Sequence, residues 1–351
     1  MVTPTLASWR SRVPNFRAAG IAGPCSLAIA LVWVVIVVPL TGRQNDGMST
    51  AYLALQAFSF VGLLALALAV TVLAGELDLS IVGMFAFGGG TAIKLGGQRP
   101  LLGILGAVAV GLMIGIGQGL AVSRLRLNSM MVTLGTYIAL LGATSILGDG
   151  QAIPYNNFDP GLILDRPILG IFSLHSLVAI GLFVAVGAIM RYTRGGRDLY
   201  AVGNDRRAAG TAGVRVGVVL VVVFAFSGAI AALAGSLQAY STASASPDPG
   251  TGVFVLVTSA VLLGGIAIEG GEGSLVGVAS AALALSLLQQ LTGIFAVQGY
   301  VSDVLTGAIL IITATATAPK LRVGWRTLRP ARTRKDQNAS NETELVTSSA
   351  N

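Results

Sequence analysis

Two carboxylates stand where the surrounding sequence carries almost no charge. Glu76 and Asp78 separate the apolar stretches 51–74 and 81–95, and an aspartate at the centre of a bilayer costs roughly 3 kcal/mol on insertion scales. Carboxylates in such a place either meet a polar solute or ion crossing a membrane, or cap the end of an interrupted helix. The stretch 81–95 is too short to cross about 30 Å of hydrocarbon as a straight helix. The spacing therefore predicts a break at Gly75 and Glu76, with Asp78 and Ser80 at the N-terminus of the continuing helix. A solvated turn with an ordinary N-cap is the competing reading. A second break is expected around Gly264, Gly265 and the run Glu269-Gly-Gly-Glu-Gly-Ser274, where Gly271 and Gly273 permit positive φ and Ser274 is placed to cap the next helix. Among the polar groups in or beside apolar sequence, Asp78, Ser80, Gln118, Asn128, Gln289 and Gln290 are the candidates for a translocation path.

Other chemistries find no footing. A phosphate-binding loop needs Gly immediately before Lys, whereas Lys94, Lys320 and Lys335 follow Ile93, Pro319 and Arg334. Cys25 is the sole cysteine and has no metal-ligand companions; it reads as a small buried apolar residue. His175 is the sole histidine and has no nucleophile beside it, so it reads as structural. No metal site and no enzyme active site are expected.

The elements that must position these residues follow from composition. Of 351 residues, 54% are hydrophobic and 11% charged, against roughly 25% charged in soluble domains. Such a chain cannot cover itself against water, so its solvent is lipid. With 46 glycines, close backbone approach between helices is the expected packing mode, and the continuous apolar runs exclude the alternating strands of a barrel. The fold class is an all-α polytopic membrane protein with about ten transmembrane helices, at 18–40, 51–74, 81–95, 101–122, 130–147, 174–190, 216–240, 252–268, 275–297 and 301–318. The first is too long for a cleavable signal peptide and reads as a retained helix. A weak internal duplication pairs the break at Gly75 with that at Gly264, each followed by a Gly- and Ala-rich span bearing Gln118 or Gln289 and Gln290. This gives a short N-terminal segment (1–17), a membrane domain (18–318) and a basic, then polar and disordered, tail (319–351).

The net charge of +7 is unevenly placed. All Lys and Arg except Arg43, Lys94, Arg99 and Arg166 fall on one set of alternate loops and the termini. Positive charge stays inside, so both termini are expected in the cytoplasm, and the excess reflects orientation and anionic lipid rather than nucleic acid. In a bacterium this is the inner membrane. Asn338 and Asn341 match a glycosylation pattern but fall on that cytoplasmic tail. The loop 148–172, with Pro154, Pro160 and Pro167, is the longest external one and suits an extracytoplasmic partner. Inside, the loop 191–215 is the only long one, with a short helix expected over Asp205 to Ala212, an N-cap at Asn204 or Asp205, and Gly213 just beyond its end. Ala208, Ala209 and Ala212 would give it a small-residue face for docking, and its arginines would be free to pair with carboxylates on a partner.

These segments together resemble the permeases of ribose-type monosaccharide ABC transporters. Gly75-Glu-Leu-Asp-Leu-Ser80 is similar to that family's GxIDLSVG, and Arg126-Leu-Asn-Ser-Met-Met-Val-Thr-Leu-Gly135 to its RVNPFIVTLG. Ala201-Val-Gly-Asn-Asp-Arg-Arg-Ala-Ala-Gly-Thr-Ala-Gly-Val214 resembles the AVGxNxxAAxxxGI loop, and Ser244-Ala-Ser-Pro-Asp-Pro-Gly-Thr-Gly252 the external ASPxxGxG segment. Val261-Leu-Leu-Gly-Gly265 through Ser274 resembles VLGGxxxxGGxGS. The order is kept over roughly 51–317. Departures are Arg206-Arg207, where the family commonly has an acidic or neutral pair, and Ser129 in place of proline.

The resemblance implies two permease copies, identical or related, two cytoplasmic ABC ATPases that hold ATP and Mg, and an extracytoplasmic solute-binding protein. No cofactor is expected on this chain itself. The loop of Gly203, Asn204, Asp205, Arg206, Arg207, Ala208, Ala209 and Gly213 would ride in an ATPase groove, and a monosaccharide or similar small polar solute would pass through. Competing readings are an ABC permease for branched-chain amino acids or nucleosides, an ion-coupled secondary transporter, and a membrane scaffold. The expectation that no His, Lys or Arg is buried in the spans argues against the ion-coupled carrier, and the loop motif against a scaffold.

Overall fold

The computed structural model describes residues 47–294 and the isolated positions 28, 298, 299, 301, 304, 307, 308 and 311. The segments 1–17 and 319–351, Cys25, and nearly all of 18–40 and 301–318 lie outside the described residues. Helices occupy every expected span between: α1 (Gly47–Leu73), α2 (Ile81–Gly96), α3 (Pro100–Ser123), α4 (Ser129–Leu147), α5 (Asp159–Leu164) in the long loop, and α6 (Leu174–Tyr192). After α7 (Arg194–Asn204) and α8 (Arg206–Thr211) come α9 (Val216–Ser241), α10 (Thr251–Leu263) and α11 (Leu275–Ile294). Among the described residues, six helices are long and apolar enough to cross a membrane, and α2 and α10 are shorter apolar helices. The chain is an all-α polytopic membrane protein. Its one sheet among the described residues is a two-residue pairing, β1 (Ile153–Pro154) antiparallel to β2 (Ser244–Ala245).

Local chemistry sets the helix ends. Pro100 opens α3, where its missing N–H costs nothing. A reciprocal pair, Ser173 and Ser176, caps α6: each hydroxyl accepts from the other's backbone N–H. The span expected over 252–268 ends instead at Leu263, because Gly265 turns left-handed at φ +86 and takes the chain out of the helix. Two helices were not expected, the short α5 within the external loop and α7 on the basic side. α7 has an apolar side carrying the buried Leu199 and Val202 and a polar side with Arg194 and Arg197, the pattern of a helix lying along a membrane surface.

Small residues decide the packing. On α3 the buried positions include Gly103, Ala107, Gly111, Gly115 and Gly119, one face at four-residue spacing. This face meets α9 backbone to backbone: a Cβ on Gly111 would lie 2.4 Å from the carbonyl oxygen of Gly228. The opposite side of α3 shows Leu101, Leu105, Leu112 and Met113 to the surroundings, as a lipid-facing surface requires. From Leu63 to Leu73, α1 is buried throughout and forms the centre of the bundle with α2 and α9. The two ends differ in charge. One holds Arg124, Arg126, Arg191, Arg194, Arg197, Arg206, Arg207 and Arg215, and is called the basic end below; Lys94, Arg99 and Arg166 lie at the other.

Candidate functional site

At the basic end three chain segments converge where the sequence offered only separate motifs. Gly75 (φ +76) ends α1, Gly270 and Gly271 (φ +86 and +71) turn between α10 and α11, and Gly203 lies in the last turn of α7. No side chain fits between them. A Cβ at Gly203 would sit 1.9 Å from the oxygen of Leu73 and 2.5 Å from the nitrogen of Gly271. The Gly271 N–H donates to the Leu73 oxygen at 3.0 Å. Asn204 donates from Nδ2 to the Gly271 oxygen at 2.9 Å, and Tyr200 from its hydroxyl to the Gly273 oxygen at 3.3 Å. Arg206 closes the junction, its Nη2 lying 2.7 Å from Oε1 of Glu76 and 3.1 Å from the Gly75 oxygen.

The short helix after this junction has the ends that its sequence calls for. Asp205 caps α8, accepting from the N–H groups of Arg207 and Ala208 at 2.8 and 3.0 Å. Those two amides, Ala208's first, hold its carboxyl below the usual carboxylate range. Gly213 follows in the left-handed region at φ +89. Two expectations are corrected here. Ala209 is buried within the chain itself, so the small-residue face expected for docking shrinks to Ala208 and Ala212, with Arg207 and Thr211 exposed beside them. Arg206 is already paired with Glu76, whereas Arg207 has no ion pair among the described residues.

Behind the junction lies a polar cluster shut away from solvent. Asp78 is fully buried; its Oδ1 accepts from the N–H and the hydroxyl of Ser80 at 2.9 and 2.6 Å, and its Oδ2 from the hydroxyl of Ser227 on α9 at 2.7 Å. Gln118 on α3 donates to the Ser80 hydroxyl at 2.8 Å. The carboxylate thus fastens the start of α2 to α3 and α9. The reading of Glu76 and Asp78 as a solvated turn is overturned, since both are buried. Ser80 occupies the N-cap position of α2 but makes no capping bond to the helix. Ser274 does cap α11, weakly, accepting from Gly277 at 3.4 Å.

Toward the opposite end, α1, α2, α9, the 242–249 segment, α10 and α11 enclose an open cavity of about 410 Å³. Phe60 and Phe85 form apolar walls; Gln238, Thr242, Ser246 and Gln289 supply amides and hydroxyls, and among the described residues no ionisable side chain lines it. The Gln238 Oε1 is buried without a hydrogen-bond partner. Such a lining can exchange hydrogen bonds with a neutral polar molecule and pack against its apolar face.

With this geometry in view, the comparison with known proteins is decisive. Residues 50–314 match the family described as branched-chain amino acid transport system / permease component. The chain belongs to this permease family. It is 25% identical to the ribose import permease protein RbsC of Escherichia coli K12, over 81% of this chain and 90% of that one. It is 29% identical to the L-arabinose ABC transporter permease protein AraH of Azospirillum brasilense, covering 78% and 79%. To the autoinducer 2 import system permease protein LsrD of Salmonella typhi it is 28% identical, covering 84% and 91%. No solved structure matches it. The permease is a transport subunit and not an enzyme.

Of the polar residues anticipated for a path, the permease places only Gln289 at the cavity; Gln290 is not among its lining residues. Asp78, Ser80 and Gln118 belong to the internal cluster. Asn128 is exposed, its side-chain oxygen occupied in capping α4 through the Met130 N–H at 2.9 Å. Gly264 and Gly265 end α10, where a Cβ at Gly264 would lie 2.5 Å from the Cα of Val278. Residues not anticipated are Phe60, Phe85 and Gln238; a lone amide within an apolar span was the available signal for the last. Also unforeseen is a cluster on Asp165 at the non-basic end. Its Oδ1 lies 3.1 Å from Nδ1 of His175 and accepts from Gln56 at 2.8 Å; its Oδ2 accepts from Ser241 at 2.7 Å. His175 is wholly buried, which overturns the expectation that the bundle buries no histidine.

Proposed function

We propose that this permease passes a neutral, hydroxylated solute of the monosaccharide class, as one half of the pore of an ATP-binding-cassette importer in a bacterial inner membrane. The observation that carries the reading is the cavity lining: two aromatic rings, two amides and several hydroxyls, with no charged group among the described residues. The family's description names branched-chain amino acids, but a zwitterion would bring a carboxylate and an ammonium into a site with no countercharge, at a cost of several kcal/mol. The relatives named for ribose and arabinose support the same class.

The basic end faces the cytoplasm by the distribution of Lys and Arg, with ten spans and both termini on that side. The exposed face of α8 docks on a separate ATPase subunit that holds ATP and Mg. The long loop after α4 and the 242–249 segment face an extracytoplasmic binding protein that delivers the solute. A second permease copy, identical or related, completes the pore. The test is uptake of labelled pentoses, hexoses and leucine into cells that express the permease with its ATPase and binding protein. Sugar uptake should fall at least tenfold in Gln238→Leu/Gln289→Leu at equal membrane levels, with leucine not transported. Leucine transport, or unchanged sugar uptake in the double variant, would refute the reading.

A further inference from the structure

We propose that the groove between α6, α7 and α9 at the basic end binds one anionic phospholipid. The groove encloses about 730 Å³ and reaches inward as far as Val70 of α1. Its walls are two apolar stripes, Val186, Ile189 and Met190 on α6 and Val218, Val222 and Phe226 on α9. From Arg215 at its mouth to Phe226 at its inner end the α9 wall runs eleven residues, about 16 Å at 1.5 Å per residue. That length matches the hydrocarbon depth of a single leaflet, roughly half of 30 Å. An acyl chain fits such a furrow, and a water-soluble ligand would find nothing along it to bond.

The mouth selects the headgroup. Arg194 and Arg215 both line it, both are exposed, and neither is within ion-pair distance of a carboxylate among the described residues. Asp198 stands on the same rim and reaches neither. Two free guanidiniums above an apolar furrow complement a phosphate group carrying net negative charge and leave a zwitterionic headgroup without advantage. α7, lying amphipathically along the surface, supplies Arg194 from its first residue and closes the side of the mouth with Leu199. A lipid held here would brace α7, and through it Gly203 and Asn204, against the transmembrane helices.

The test is native mass spectrometry of the full-length permease, titrated in detergent with phosphatidylglycerol or phosphatidylcholine of identical chains. The wild type should retain one phosphatidylglycerol in preference to phosphatidylcholine. Arg194→Gln/Arg215→Gln should lower that preference by about 25-fold at most, from about fivefold for each basic group at an anionic surface. Val222→Trp, which fills the furrow and leaves the charges in place, should reduce retention of both lipids. Arg124→Gln, a basic-end control outside the groove, should leave it unchanged. Equal retention of the two lipids by the wild type would overturn the proposal, as would a preference that survives the double substitution or falls equally with Arg124→Gln. A Val218→Cys variant that crosslinks to a second copy would place that copy in the groove and overturn it too.

Discussion

Gly203 and Gly210 make a matched pair, seven residues apart on the same basic-end loop and both in helical backbone. Substituting alanine at either removes the conformational entropy of glycine, a gain of roughly 0.5–1 kcal/mol. At Gly210 nothing lies within 4 Å of the new Cβ, so that gain should stand alone. At Gly203 the Cβ meets backbone on two sides, the Leu73 oxygen at 1.9 Å and the Gly271 nitrogen and Cα at 2.5 and 2.9 Å. The first belongs to the last residue of α1 and the others to the backbone of the glycine turn, so neither can swing aside as a side chain would. Overpacking typically costs about 1–3 kcal/mol, and contacts this short belong at the upper end, leaving a net destabilisation of about 2 kcal/mol. Gly203→Ala should therefore melt below the wild type in detergent and lose most ATP-driven uptake, while Gly210→Ala melts at or slightly above it and transports normally. Equal melting of the two variants would refute the claim that the three segments are locked at Gly203.

Arg206→Gln strips the partner from a nearly buried Glu76. It should cost on the order of 1–3 kcal/mol, between the values for exposed and buried pairs; Glu76→Gln/Arg206→Gln should recover part of this, and a double-mutant cycle without coupling would disprove the pairing. Ser227→Ala leaves the buried Oδ2 of Asp78 without its hydroxyl donor and should cost about 1–3 kcal/mol, read as a lower melting temperature at unchanged membrane level. For Asp165, burial pushes the carboxyl up, but the contacts from His175, Ser241 and Gln56 outweigh it and hold the group below its usual range. A carboxyl depressed on folding stabilises above its unfolded value near pH 4 and loses that contribution as pH falls through the lower folded value. Asp165→Asn should thus melt below wild type at pH 7, with the gap closing only in acid below about pH 4; a gap that closes between pH 6 and 7 would contradict the assignment. Ala208→Trp adds a bulky ring to the exposed face of α8 and should block ATPase co-purification without reducing insertion, whereas co-purification at wild-type levels would remove α8 from the docking surface.

The spans were legible because lipid leaves a simple signature: long apolar runs punctuated by Gly, Pro and charge. Where that signature misled, a particular residue explains it. Ile266 and Ile268 extend an apolar run past Leu263, but the helix stops there because backbone conformation at Gly265, not hydropathy, ends it. α7 escaped notice because Gly195 and Gly196 look like loop, while its apolar side is only wide enough to cover the ends of its neighbours. The ends of α8 were readable from Asp205 and Gly213, since capping is local chemistry. The cavity was not: Phe60 and Phe85 are ordinary core residues until α1 and α2 are set against α9, α10 and α11, at least 120 positions further along the chain. Nor could sequence tell that Glu76 and Arg206, 130 positions apart, form one ion pair.

That pairing gives the junction its mechanical meaning. One arm runs from α8 through Arg206 to Glu76, across the Asp78 cluster, and into α2, whose Phe85 and Gly89 line the cavity. From Ile81 to Gly89 this is eight residues of helix, about 12 Å. The other arm runs from Asn204 to Gly271 and into α11, whose Gln289 lies fourteen residues past Leu275, about 21 Å away. Helices transmit displacement along their axes because their hydrogen bonds resist compression, whereas the glycine turns at 75, 270 and 271 can absorb rotation. With α8 docked as proposed, a load applied there would reach two walls of the cavity, one through the Arg206–Glu76 ion pair and one through the Asn204–Gly271 hydrogen bond. The arms differ in kind: the first ends on an aromatic wall and the second on an amide that can hold a hydroxyl. Loss of the Arg206–Glu76 pair should slacken only the first, so solute contact through Gln289 would persist while closure around Phe85 fails, and transport would be lost with solute binding retained.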